Sequence, residues 1–335
     1  LAAVPLLRTM GADGELLAPA LEYLRIRAFA GPAVLLITAG HGAFRGYQDT
    51  RTPMVVTLGL NLVNLVLDPL LIFGLGWGLV GAAPATVVAQ WTGDVVFLVS
   101  LLRTRREALG IEFRLPRLRA LVPFLRVGWE LLVRTGALVG TMTLATAVAA
   151  RVGVTAVAAH QVAAQLWLFL ALVVDALAVA AQALVARYLG RGKTETARAV
   201  ADRLLLWGLG VGVVLGLGFA VLRPVLPGFF SDDAATIAAV LAVFPFVALL
   251  QPLNGLVFVW DGIFMGAEDF GYLARAMLVS AGGAVVVLLL TLPMGWGLTG
   301  VWWGITALMG LRALTLAVPY VQGRLFAKHA APAHE

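Results

Sequence analysis

The sequence predicts an all-α polytopic membrane protein, and three observations predict it. Apolar residues make up 61% of the chain and charged residues 13%, against about 45–50% and about 25% in soluble domains. Apolar runs long enough to cross a bilayer recur from end to end, and without strand alternation only helices leave no backbone group unpaired in lipid. Lysine and arginine gather in the short intervals between those runs. The pI of 10.3 therefore reads as membrane topology and not as a nucleic-acid-binding face. A mean hydropathy of +0.95 excludes a soluble enzyme. The chain has no cysteine, so disulfides and thiolate sites are excluded too.

Nine complete spans are expected, at 18–45, 54–75, 79–102, 127–149, 156–188, 203–223, 235–266, 272–294 and 298–325. The longest, 18–45, 156–188 and 235–266, must tilt, kink or extend beyond the bilayer. Pro53, Pro69, Pro84, Pro252 and Pro293 are candidate kinks or caps, because proline removes a helical donor. With the basic clip Arg45–Pro53 placed inside, 18 of the 24 Lys and Arg fall inside and 5 outside, with Arg312 within a span. The positive-inside rule then makes the C-terminus cytoplasmic. Trp77, Trp296, Trp302 and Trp303 fit an interfacial aromatic belt at the outer turns.

A shift of 220 residues lays Pro32, Leu36, Gly42, Phe44, Gly46 and Asp49 on Pro252, Leu256, Gly262, Phe264, Gly266 and Asp269. With one gap, Gly76, Gly78 and Gly81 meet Gly295, Gly297 and Gly300. The chain therefore reads as two homologous halves in parallel relation. Residues 1–102 form the remainder of an N-terminal lobe, 103–126 a basic cytoplasmic linker, 127–325 a C-terminal lobe and 326–335 a tail. On this register the second half begins near 127, so its counterpart begins well before Leu1. The expectation is a fragment of a twelve-helix protein that lacks two helices and most of a third.

Polar residues inside these spans are the candidate functional groups. Thr57, Asn61, Asn64 and Asp68 follow at intervals of 4, 3 and 4, so they share one helix face. A carboxylate in such a helix costs about 2.5–3.5 kcal/mol to insert, which favours a cavity role over an interhelical polar zipper. Pro69 follows directly and frees a carbonyl one turn back that a cation or water can use. Thr86, Gln90 and Asp94 stand one turn apart on the next span, where Asp94 either lines a cavity or pairs with a neighbour. Gln161, Asp175 and Gln182 share a face of the 156–188 span, and Asp175, at mid-span, suits an organic cation. Asp261 is a further cavity candidate. Glu130 and Arg134 are spaced for a local i,i+4 ion pair. No Walker loop is present, which argues against ATP, and no metal-ligand or nucleophile–base cluster stands out.

Seven segments carry a resemblance. They are PLLRTMGAD (5–13), YLRIRAFAGPA (23–33), the Arg45–Pro53 turn, the Asn64–Asp68 helix, VAAHQVAAQLW (157–167), ALVARYLGRGK (183–193) and DGIFMGAEDFGYLARAM (261–277). In this order and spacing they resemble the multidrug and toxic compound extrusion (MATE) transporters, DinF-like branch. The resemblance implies two six-helix lobes around a cavity that opens alternately to each side, with helices four to twelve present here. It implies an efflux antiporter, not an enzyme, exporting cationic or amphipathic small molecules in exchange for H⁺ or Na⁺ from a bacterial inner membrane, without a bound cofactor. By the same resemblance Asp68, Asn64 and Thr86 bind the coupling cation, while Asn61, Gln90, Asp94, Gln161, Asp175 and Asp261 line the substrate cavity. The family's first-helix acidic residue has no counterpart in this sequence. His41 stands where members often carry a small polar amide, and His160 in an AAHQ motif that caps its helix. The alternatives are a lipid-linked precursor flippase of the same superfamily, or a membrane scaffold or enzyme.

Overall fold

The computed structural model describes residues 3–4, 17–47, 49–104 and 118–329, and among these every regular element is helical. The chain divides into two compact units, Leu1–Leu115 and Pro116–Glu335. Segments 5–16, 105–117 and 330–335 lie outside the described residues, and with them one family-like motif, most of the expected linker and most of the tail.

The first unit contains α1 (Leu17–Ala28), α2 (Gly31–Gly46), α3 (Arg51–Pro69) and α4 (Gly78–Val99), with α4 packed on the other three. The span expected at 18–45 is thus two helices. Pro32 has no N–H and its ring collides with the carbonyl four residues back, so α1 cannot run on. It closes instead with tightened bonds, Phe29 N to Ile26 O at 3.1 Å and Ala30 N to Arg27 O at 3.0 Å. The indole of Trp91 donates to the Phe29 carbonyl left open at this break, at 3.1 Å.

The second unit contains α5 (Leu118–Val152), α6 (Val154–Leu189), α7 (Thr194–Leu222), α8 (Ala234–Leu249), α9 (Gln251–Gly266), α10 (Phe270–Thr291), α11 (Gly297–Val321) and the short α12 (Arg324–Ala327). The span expected at 235–266 is also two helices, α8 and α9, bent by 49° where Pro252 enters the first turn of α9. Pro32 and Pro252 are repeat-equivalent, so one proline rule breaks both halves at one register. Among the described residues seven helices have membrane-crossing length and apolarity, and the α8–α9 pair makes eight. The ninth expected span is the broken α1–α2. At the other junction, α5 begins at Leu118, so 118–126, expected within the linker, is helical.

Close helix crossings hold the second unit together. Gly208, Gly212 and Gly216 form one stripe of α7. A Cβ on Gly208 would stand 2.7 Å from the Gly255 carbonyl of α9, and one on Gly216 2.7 Å from the Ala248 carbonyl of α8. A Cβ on Gly212 would meet the Gln251 carbonyl. On its other side α9 presents Gly266, whose Cβ would lie 2.6 Å from the Gln182 carbonyl of α6. Backbones in contact are how membrane helices associate when lipid offers no hydrophobic drive between them. Trp302 is completely buried in this core and does not join the aromatic belt, whereas Trp77, Trp296 and Trp303 are exposed.

Candidate functional site

In the first unit the site is built by the entry, the exit and the return of α3. At the entry, Asp49 Oδ1 accepts the amides of Arg51 and Thr52, each at 3.0 Å, and Oδ2 accepts the Thr52 hydroxyl at 2.8 Å. This cap satisfies donors that begin the helix and fixes its start. Along α3 the stripe Thr57–Asn61–Asn64–Asp68 then follows from the 3.6-residue period. At the exit, Pro69 supplies no N–H to the carbonyl of Leu65, and the next five residues rewind as a π-helical turn, Leu70–Gly74. Gly76 (φ +69°) and Gly78 (φ +55°) reverse the chain in left-handed conformations that side chains disfavour. A Cβ on Gly81 would stand 2.8 Å from the Leu71 carbonyl. Glycine there lets α4 return close against the exit of α3.

That return brings Asn64 and Thr86 together. Asn64 Nδ2 donates to Thr86 Oγ1 at 3.4 Å, and the same hydroxyl donates to the Ala82 carbonyl at 2.9 Å. Asn61, Asn64 and Asp68 line one cleft of about 430 Å³ with Leu65, Pro69, Ile72 and Phe73. Asp68 Oδ1 is buried there without a hydrogen-bond partner among the described residues. The exposed Asn61 turns back, donating to the Thr57 carbonyl at 2.8 Å. His41 shares a 3.2 Å bond with the Thr57 hydroxyl and stands edge-on to Phe97, centroids 5.3 Å apart.

The other candidates fall elsewhere. Gln90 accepts from Arg27 Nη1 at 3.2 Å, tying α4 to α1. Asp94 is buried on α4. Gln161 and Asp175 occupy exposed positions of α6, with Gln182 half-buried beyond them. His160 is buried, 3.3 Å from the Thr146 hydroxyl and edge-on to Trp302, consistent with a packing role.

Asp261 is not an open cavity group. Its Oδ2 accepts from Arg134 Nη2 at 2.7 Å and from Arg312 Nη2, so a carboxylate of α9 is bound by guanidinium groups of α5 and α11. Arg312 also lies over the Phe258 ring, 5.7 Å from its centroid. Glu130, expected to pair with Arg134, pairs with Arg126 at 3.2 Å instead. Sequence spacing misses this triad. Its one signal is Arg312 itself, since a cation in mid-span requires an anion on a neighbouring helix.

A family model described as MatE matches residues 1–70 and 137–291. The chain belongs to the MATE family. Protein DETOXIFICATION 43 of Arabidopsis thaliana is 39% identical over 314 residues, covering 92% of this chain and 58% of that relative. DNA damage-inducible protein F of Escherichia coli (strain K12) is 27% identical over 323 residues, covering 93% and 68%. The structure described as MATE in the straight conformation superposes with a TM-score of 0.85 at 20% identity, covering 98% of this chain and 74% of that one. This MATE chain spans a little over half the length of the plant relatives it matches, 55–58% for three of them. Its helical units thus have the MATE fold, and its polar cleft is a feature of the first of them.

Proposed function

We propose that this chain belongs to a secondary active exporter in which Asp68, Asn64 and Thr86 hold the coupling cation. The observation that carries the reading is the cleft on α3. A carboxylate with one buried oxygen that has no partner among the described residues faces the same space as two amide side chains, and one of these is bonded to a threonine of the next helix. An intramembrane carboxylate that shares a cleft with amide side chains suits a proton or Na⁺. Pro69 and the π-helical turn stand next to Asp68, so α3 already has a weakened ladder where a change of charge can bend it. Binding and release at Asp68 then bias two arrangements of the unit, which is the differential affinity that alternating access needs.

The substrates are small amphipathic or cationic molecules, carried outward from a bacterial inner membrane with the C-terminus on the cytoplasmic face. The plant relative's name, DETOXIFICATION, and the acidic character of the first-unit cleft support that class. The test is efflux by the full-length gene product in proteoliposomes, with an organic-cation dye as probe and pH and Na⁺ gradients imposed separately. Dye movement driven by one of these gradients, and abolished by its collapse, is expected. Dye movement indifferent to both gradients contradicts the reading.

A further inference from the structure

The first unit holds a second carboxylate that the Asp68 cleft does not use. Asp94 lies on α4 in the stripe of Thr86 and Gln90, eight residues beyond Thr86, or about 12 Å along the axis. It is 6% exposed, and neither carboxylate oxygen has a hydrogen-bond partner among the described residues. The charged side chains described on the helices packed on α4 are engaged or exposed, Arg51 at the start of α3 among the exposed. On α1, Arg27 donates to Gln90, while Glu22 and Arg25 are exposed. On α2, His41 is bonded to Thr57 and set against Phe97. On α3, Asp68 lines its own cleft.

A buried carboxylate in such a place has three ways to avoid an uncompensated charge: an ion pair, a bound metal cation or a proton. No ion pair or hydrogen bond reaches the Asp94 carboxylate from the described residues, which leaves the first without a described partner. A metal cation needs several oxygen donors converging on it. No group of three acidic, histidine or cysteine side chains occurs among the described residues, and the Gln90 carbonyl is taken by Arg27. A proton needs no further ligand. We propose that Asp94 is a proton-exchange site, which holds a proton while the first unit is packed as here and releases it when the unit opens to water. The helix that carries Asp68 packs on this part of α4, together with α2. Beside Asp94, a Cβ on Gly93 would lie 3.0 Å from Leu60 of α3 and 3.6 Å from Ile37 of α2. A bend of α3 therefore hydrates Asp94 as well, and each export cycle moves one proton more than Asp68 alone carries. This second step rests on the coupling role of Asp68, whereas the protonated state does not.

Infrared difference spectroscopy of the full-length transporter on H₂O/D₂O exchange tests the state directly. A carbonyl stretch of a protonated carboxylic acid is expected in the wild type, lost in Asp94→Asn, retained in Asp68→Asn, and shifted but present in Asp94→Glu. An unchanged band in a folded Asp94→Asn protein overturns the proposal. So does an ionised Asp94 paired with a segment outside the described residues, seen as absence of the band in the wild type. Reversal-potential measurements in proteoliposomes test the step. Asp94→Asn is expected to lower the proton-to-substrate ratio by one, and an unchanged ratio overturns it. Should Asp68→Asn still couple normally while the Asp94 band is lost in Asp94→Asn, the Asp68 reading fails alone.

Discussion

Two guanidinium groups converge on one oxygen of Asp261, and this fixes what a substitution there must do. Arg312 is 2% exposed, and its Nε and that of Arg134 have no other partner among the described residues. Removing the carboxylate leaves a buried and a half-buried cation facing each other. Asp261→Ala is therefore expected to destabilise the protein by about 3–5 kcal/mol, read from thermal unfolding in detergent. An Asp261→Ala protein as stable as wild type would mean that water already solvates the pair. Asp233 behaves differently because it stands outside the spans. It caps α8, accepting the Thr236 hydroxyl at 2.6 Å and the Thr236 amide at 2.9 Å, and these bonds hold its carboxyl below the ordinary value of 3.8. Its folded value is depressed, so its contribution is present above the unfolded value and disappears as pH falls through the folded one. Protection of the first-turn amides of α8 should follow that sign and lose its pH dependence in Asp233→Ala. The stripe Asn61–Asn64–Asp68 was legible from spacing. The partners of Asp261 were not, because they lie 127 and 51 residues away, and only the tertiary crossing of α5, α9 and α11 joins them.

Helices were legible wherever an apolar run was continuous, and their interruptions were legible only in part. The same run of hydrophobicity covers α1–α2 and α8–α9, so hydropathy merges each pair. Pro32 and Pro252 break them for a steric reason that composition does not register. The glycine stripe of α7 was likewise hidden, since glycines on a membrane helix show no face until a neighbour is known. It gives a controlled prediction. Gly208→Ala and Gly212→Ala push a methyl into a facing carbonyl and should each cost about 1–3 kcal/mol. At Gly210 and Gly218 of the same helix an added methyl would meet none of the described residues within 4 Å, so alanine there should be neutral or stabilising by up to about 1 kcal/mol. Equal losses at all four positions in a thermal-shift series would show that α7 does not pack through this stripe.

At the scale of the molecule, the repeat read from the sequence reappears as geometry. Gly76 and Gly78 have φ of +69° and +55°, and their counterparts Gly295 and Gly297 have +66° and +59°. The halves are not equal in chemistry. The second unit neutralises its buried carboxylate with two arginines, whereas in the first Asp68 has a buried oxygen beside Asn64 with no partner among the described residues. Gly262 meets α6 at the Ala178 carbonyl, whereas a Cβ on the equivalent Gly42 would meet none of the described residues within 4 Å. Sequence spacing alone reached the stripe on α3. The contact from Asn64 to Thr86 depended on the turn glycines that fold α4 back, and the placing of Asp68 in a cleft depended on the π-helical turn after Pro69. If that cleft is the coupling site, its carboxylate must exchange a cation. The most direct test is gradient-driven efflux by the full-length transporter carrying Asp68→Asn, whose amide keeps the shape of the protonated acid but exchanges no proton and adds no charge for Na⁺. Normal membrane insertion with loss of gradient-driven efflux is the predicted result. Efflux at the wild-type rate under the same gradient would show that Asp68 is structural and that coupling resides elsewhere.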